Sequence, residues 1–406
     1  MDRLRSRWSD LRSGLWLLPG LIVVALVVLA FVVIQVDHML GDTEVGFGGG
    51  PAAARDVLAA MAGSFVTVAG LTFSLTIVVL QLASSQYSPR ILRGFLADRI
   101  TQLTAGAFIG VFAYSLVVLR SVRSEPNAFV PSLGVSVAIV LALAALAVLF
   151  AFMDHVAKLI QVSNLAARLG AETCAELART STGHDPSDDA EAERRVRSWR
   201  ARGPALPVHV SRAGYLRSID VGTITGRLAD TQARIALLAR PGDLAVPDEP
   251  VAEVWWEPGT GADAVTAAVL RAVHVADERD LRDDPGFGVR QLADIAIRAL
   301  SPGINDPTTA VTCVGYMRAA LVEDATLPPP RRVVEQDGVE VVLARRALDR
   351  DAAALVEVAY HAKRDPRAAT AVERAVAAVT DAARAAGRGE EAARISAAHR
   401  EASAAG

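Results

Sequence analysis

The sequence predicts an α-helical membrane domain of four transmembrane helices, followed by a cytosolic α+β domain that carries a small β-rich module and helical hairpins. Three observations lead there. Apolar residues make up 52% of the 406 residues while aromatics make up only 5%, so the apolar weight is Ala, Val and Leu. The distribution is uneven, with long uncharged runs in the first 153 residues and charged, Ala-rich sequence behind them. Over 206–257 the pattern changes to Val and Ile alternating with polar residues, between turn signals such as RPGD and VPDEP. The expected organisation is a membrane domain over 1–153, a cytosolic helix and charged linker over 154–204, a β-rich module over 205–260 and a helical domain over 261–406.

A helix needs about 20 mostly apolar residues to cross a hydrocarbon core of about 30 Å. Segments 15–36, 57–82, 103–119 and 129–153 qualify. The first has basic residues ahead of it, but its long core LIVVALVVLAFVVI without a clean small-residue cleavage site reads as an anchor rather than a signal peptide. Lys and Arg mark the cytoplasmic side. Arg3, Arg5, Arg7 and Arg12 precede the first span, Arg90, Arg93 and Arg99 follow the second, and Lys158 and Arg168 follow the fourth. The loop after the first span is acidic and Gly-rich, with Asp37, Asp42 and Glu44. Arg120 and Arg123 run against the trend. The expectation is a multi-pass protein of the bacterial inner membrane with both termini in the cytoplasm.

The second span is the unusual one. Its helical pattern continues to Ser88, where Pro89 ends it, giving a length of about 48 Å. Gly63, Thr67, Gly70, Ser74, Ile77, Gln81, Ser84 and Ser88 follow alternating steps of four and three, which puts them on one stripe of a helix. Hydroxyl and amide groups need partners that acyl chains do not supply, so the stripe faces protein or water. Two readings stand: a close-packed seam, or a water-lined path at the axis of an oligomer. No ionisable residue interrupts the stripe, so a charged selectivity ring has no residue to build it. Gly106 and Gly110 in the third span form a small-xxx-small pair that suits close helix packing.

Beyond Asp154 a cytosolic helix is expected to about Thr180, then a charged linker over 181–203 without an apolar stripe. GYLRSID and RIALLARPGDLAVPDEPVAEVWW resemble half of a barrel-sandwich module, as in biotinyl and lipoyl domains, but 206–257 lacks the lysine that carries their cofactor. Residues 262–278 read as helix. VRQLADIAIRAL reads as an amphipathic helix broken by SPGINDP, with Asp306 as N-cap and Pro307 in the first turn of the next helix. Arg298, Asn305 and Asp306 are the polar groups of that corner: turn and capping chemistry, or a contact for a partner, ion or small ligand. Residues 350–404 read as two surface helices.

FSLTIVVLQLASSQYSPRILRGF together with FGVRQLADIAIRALSPGINDPTTA resembles the bacterial predicted membrane proteins grouped as domain of unknown function 2254. The resemblance extends over nearly the whole chain. It implies four N-terminal spans and a cytosolic C-terminal domain, and it names no reaction. This chain has Asp280 and Asp283 where the family pattern has Thr and Gln.

Catalytic chemistry is not visible. None of the seven histidines pairs with another at zinc spacing, and no P-loop, G-x-S-x-G or H-E-x-x-H occurs. His274 with Asp277 and Glu278, and Asp154 with His155, read as solvated or interfacial polar pairs. Cys174 and Cys313 lack metal-ligand spacing. No metal, cofactor or enzymatic activity is expected, and a net charge of −3 points to no nucleic-acid partner. The expected partners are the lipid bilayer and further copies of the chain. The leading functional expectation is an oligomeric channel-like or transport-related assembly with a cytosolic regulatory domain; the alternative is a membrane-anchored scaffold or signalling protein.

Overall fold

The structure, a computed structural model, describes residues 17–40, 46–86, 99–123, 129–159, 162–181, 187–257 and 261–404. The chain divides into two compact units, 1–161 and 162–406.

The first unit holds four helices: α1 (Leu17–Leu40), α2 (Pro51–Gln86), α3 (Arg99–Ser121) and α4 (Ser132–Leu159). Each is long and apolar enough to cross a membrane. Helix α3 is the central one, touching the other three, and half of its apolar window is buried against 11–22% for the others. The glycine pair explains the tightest contact. A Cβ on Gly106 would lie 2.9 Å from the Pro19 backbone, and one on Gly110 would lie 2.5 Å from Leu26 Cδ1, so α1 approaches α3 only because both side chains are missing. Below that contact, Tyr114, Val118, Ala54, Leu58 and Val135 form a closed apolar cluster. Asp37, near the end of α1, accepts from the backbone N–H groups of Leu133 (3.0 Å) and Gly134 (2.9 Å). Its charge meets the first turn of α4, where orphan N–H groups and the helix dipole favour a carboxylate.

The second unit is α+β. It opens with α5 (Val162–Thr180) and α6 (Ser187–Arg202). Strands β1 (Leu206–His209), β2 (Gly214–Ile219), β3 (Arg234–Leu237), β4 (Leu244–Ala245) and β5 (Pro250–Trp255) follow, with a short helix α7 (Val221–Arg227) after β2. Then come α8 (Ala262–Ala272), β6 (Val273–Ala276), α9 (Pro285–Ala299), α10 (Pro307–Thr326), β7 (Val333–Gln336) and β8 (Val339–Val342). Three helices close the unit: α11 (Leu348–Ala362), α12 (Pro366–Ala385) and α13 (Gly389–Ala404).

The barrel-sandwich expectation is not confirmed. The strands form two small sheets, ordered β1-β5-β3-β8-β7 and β4-β2-β6, and both recruit strands from beyond residue 260. Pairing is antiparallel except between β3 and β8. Alternation along β3 and β5 sends Ile235, Val254 and Ala252 into a core shared with Leu216, Val265, Val269 and Val341.

Three further expectations differ from what is found. Most of the charged linker is helix α6, whose Ala192, Val196 and Trp199 fall at i, i+4 and i+7 and pack on Ala236, Trp255 and Val342. The helix expected over 262–278 stops at Ala272, and His274 lies on strand β6. The last segment forms three helices rather than two, because Asp365 caps α12 by accepting from Arg367 and Ala368 N–H, and Gly387 takes φ +77° after it.

Candidate functional site

The structure places the stripe of α2 on the side away from its companions. Ala54, Leu58, Ala62 and Thr72 are buried, while Gly63, Thr67, Gly70, Ser74, Ile77 and Gln81 are exposed. A Cβ added to Gly63 or Gly70 would meet nothing within 4 Å. The Thr67 hydroxyl donates to the Gly63 carbonyl at 2.9 Å, so that group is satisfied by its own helix. The side chain of Ser84 and the whole of Ser88 lie outside the described residues, as does the end of the first family motif, 87–95.

The corner between α9 and α10 is an exposed turn. Asn305 sits at φ +50°, in the left-handed region that Asn tolerates. Asp306 spends both carboxylate oxygens on the start of α10, accepting from Thr309 N–H at 3.1 Å and from the Thr309 hydroxyl at 2.5 Å. Those bonds, led by the hydroxyl, hold its carboxyl below the usual value. Arg298 is exposed on the last turn of α9. Of the other polar groups singled out in the sequence, Asp277 pairs with Arg212 at 2.6 Å and Asp280 with Arg217 at 3.0 Å.

A third feature had no counterpart in the sequence reading. A cavity of about 380 Å³ opens in the second unit, lined by Arg179, Arg240, Arg346, Asp283, Asp284 and Asp351 on its polar side and by Ile219, Val221, Leu237 and Leu343 on its apolar side. Local sequence explains its shape. After β3 the chain turns at Arg240–Asp243, closed by Asp243 N–H donating to the Arg240 carbonyl at 3.1 Å, with Gly242 at φ +93°. Asp284 and Pro285 begin α9, and Asp351 stands in the first turn of α11. Two glycines let the carboxylates come close to backbone: a Cβ at Gly242 would collide with the Asp284 carboxylate, and one at Gly286 would lie 2.5 Å from Asp351 Oδ1.

The charges around this cavity form a connected network. Arg240 Nη2 donates to Asp351 Oδ1 at 2.8 Å, and Arg279 holds both oxygens of Asp284 at 2.8 and 3.1 Å. Arg346 reaches Asp351 at 3.5 Å and Asp324 at 3.1 Å. Arg179 pairs with Asp283 and with Glu176. Burial pushes the Asp284 carboxyl up, and Arg279 offsets only part of that. Burial also pushes Asp324 up, against the pull of Arg346, with Asp351 and Glu391 pushing the same way. For Glu176 burial pushes up as well, but Arg179 and the Asp283 N–H more than reverse it. Burial raises both thiols, Cys174 and Cys313, to about 12, so neither is a thiolate at neutral pH. Among the described residues no cluster of three or more His, Cys, Asp or Glu has the arrangement to hold a metal ion.

Four apolar helices whose outward faces suit lipid, joined to an α+β unit with an ordinary apolar core, define an integral membrane protein with four candidate spans. The chain belongs to the family described as Predicted membrane protein (DUF2254), which matches residues 12–378. It is 31% identical over 361 residues to uncharacterised proteins of Mycobacterium tuberculosis and Mycobacterium bovis, a match that covers 86% of this chain. The matched stretch spans 64% of the length of those relatives. No solved structure matches the chain.

Proposed function

We propose that this protein is an oligomeric, channel-like or transport-related assembly of the bacterial inner membrane, with both termini cytoplasmic, a regulatory C-terminal unit and no enzymatic activity. One observation carries the reading. The stripe Gly63, Thr67, Gly70, Ser74 and Gln81 faces away from the three other helices of its own chain, with open space beside both glycines. Lipid does not satisfy serine or glutamine side chains, so a second copy or water covers that face. At 36 residues α2 is about 54 Å long, enough to run past the bilayer.

A membrane-anchored scaffold or signalling protein is the second reading. The hydroxyl of Thr67 in the stripe already bonds its own helix, as in a packing seam. The test is mass in detergent together with flux through reconstituted protein. The assembly reading expects a symmetric oligomer whose ion flux changes in Ser74→Leu and Gln81→Leu. A monomer, or an oligomer that conducts nothing, removes it; an oligomer whose assembly alone changes favours the scaffold.

A further inference from the structure

From the cavity of the C-terminal unit we infer a binding site for a small amphipathic organic anion, with an oxyanion head on Arg346 and an apolar body against Ile219, Val221, Leu237 and Leu343. This goes beyond the oligomer reading and does not depend on it. A volume of about 380 Å³ falls at the small end of ligand sites, which run from about 300 to 1,000 Å³ and combine an apolar wall with a few convergent polar groups. Here the apolar wall comes from the ends of β2 and β3, the start of α7 and the residue after β8.

The head group falls to Arg346 because its partners are the loosest of the three lining guanidiniums. Arg179 is held by Glu176 and by Asp283. Arg240 gives Asp351 a hydrogen bond of 2.8 Å. Arg346 Nε lies 3.5 Å from Asp351 Oδ2, and its Nη1 lies 3.4 Å from the Thr180 hydroxyl. Its remaining short contact is Nη2 to Asp324 at 3.1 Å, and Asp324 does not line the cavity. A guanidinium fork matches a carboxylate or phosphate with paired bonds of about 2.7–2.9 Å. Arg346 exchanges two long contacts for such a pair, and Asp351 keeps Arg240. A cation meets no equivalent opening, since Asp284 is held on both oxygens by Arg279, Asp283 by Arg179 and Asp351 by Arg240.

The test uses the full chain in lipid nanodiscs and isothermal titration. Benzoate and phenyl phosphate are the probes, benzylammonium carries the same body with the opposite charge, and inorganic phosphate lacks the body. The variants are Arg346→Gln and Ala344→Phe, the second filling the cavity from a half-buried position on its wall. The expected result is saturable binding of at least one organic anion, none of benzylammonium, and inorganic phosphate weaker by about tenfold or more. Arg346→Gln weakens the organic anion by about tenfold or more, and Ala344→Phe abolishes its binding. A preference between the two anions identifies the head group as carboxylate or phosphate. The inference falls if neither organic anion binds up to about 10 mM, if benzylammonium binds as well, or if Ala344→Phe binds like the parent. Should Arg346→Gln fail to fold, the charge series and Ala344→Phe decide the matter alone.

Discussion

The two units bury opposite things. In the first, Val24, Leu71, Val140, Leu143 and Phe150 point outward with more than 60% of their surface exposed. In the second, Ile235, Leu292, Met317 and Leu321 are sealed completely. Charge follows the reverse pattern. The second unit holds its arginines and carboxylates in a network that extends into the interior, with Asp351, Asp284 and Asp324 all nearly buried. The first unit buries the carboxylate of Asp37 and meets it with backbone N–H groups. One rule serves both: apolar surface leaves water and buried polar groups find partners. The surrounding medium differs, so the same residues occupy opposite faces.

The sharpest test of that contrast compares truncations. Ile235→Ala in the sealed core should cost about 2–5 kcal/mol of stability, from lost transfer free energy plus a cavity. Leu143→Ala on the outward face of α4 should change stability in lipid by no more than about 0.5 kcal/mol. Chemical denaturation of the reconstituted chain measures both. An equal loss at Leu143 would mean that its face meets protein rather than lipid.

The next effect is smaller and separates two glycines on neighbouring helices. Gly110→Leu forces a side chain into Leu26, where there is no room, and should destabilise the first unit by about 1–3 kcal/mol. Gly70→Leu adds the same atoms where nothing lies within 4 Å, so the isolated chain should keep its stability and only association should weaken. Thermal midpoints and mass in detergent read the two apart. A destabilised monomer in Gly70→Leu would break the distinction.

Much of the first unit was legible in the sequence. A hydropathy signal sums over about 20 residues, so the spans stand out even where Arg99 and Arg120 flank one of them. The α2 stripe and the Gly106–Gly110 pair were legible too, because both follow helical spacing. Helix α6 was missed because its apolar stripe is three residues wide amid nine charges, and Trp199 finds its sheet only in three dimensions. Sheet pairing was hidden for the same reason: β3 takes β8 from more than a hundred residues away. The cavity was hardest of all. RPGD reads as a turn, which it is, but nothing near Arg346 or Asp351 announces Arg240 as a neighbour.

The smallest effect belongs to the charged network and sets the two units against each other through pH. Asp284 and Asp324 have folded-state pKa values raised above the ordinary 3.8 by burial. The folded chain therefore holds their protons more tightly than the unfolded one does. Their contribution to stability is fully present below 3.8 and is lost as pH rises through the folded values. Glu176 and Asp306 are lowered, so they stabilise above their ordinary values and lose that contribution as pH falls through the folded ones. The C-terminal unit should accordingly gain stability as pH falls through the folded values of Asp284 and Asp324, until the lowered groups begin to protonate. Asp324→Asn removes one of the two raised groups and should flatten that rise, with hydrogen exchange reporting each unit separately. An unchanged slope in Asp324→Asn would assign the rise to Asp284 alone, and an equal slope in the first unit would show that the network is not its source.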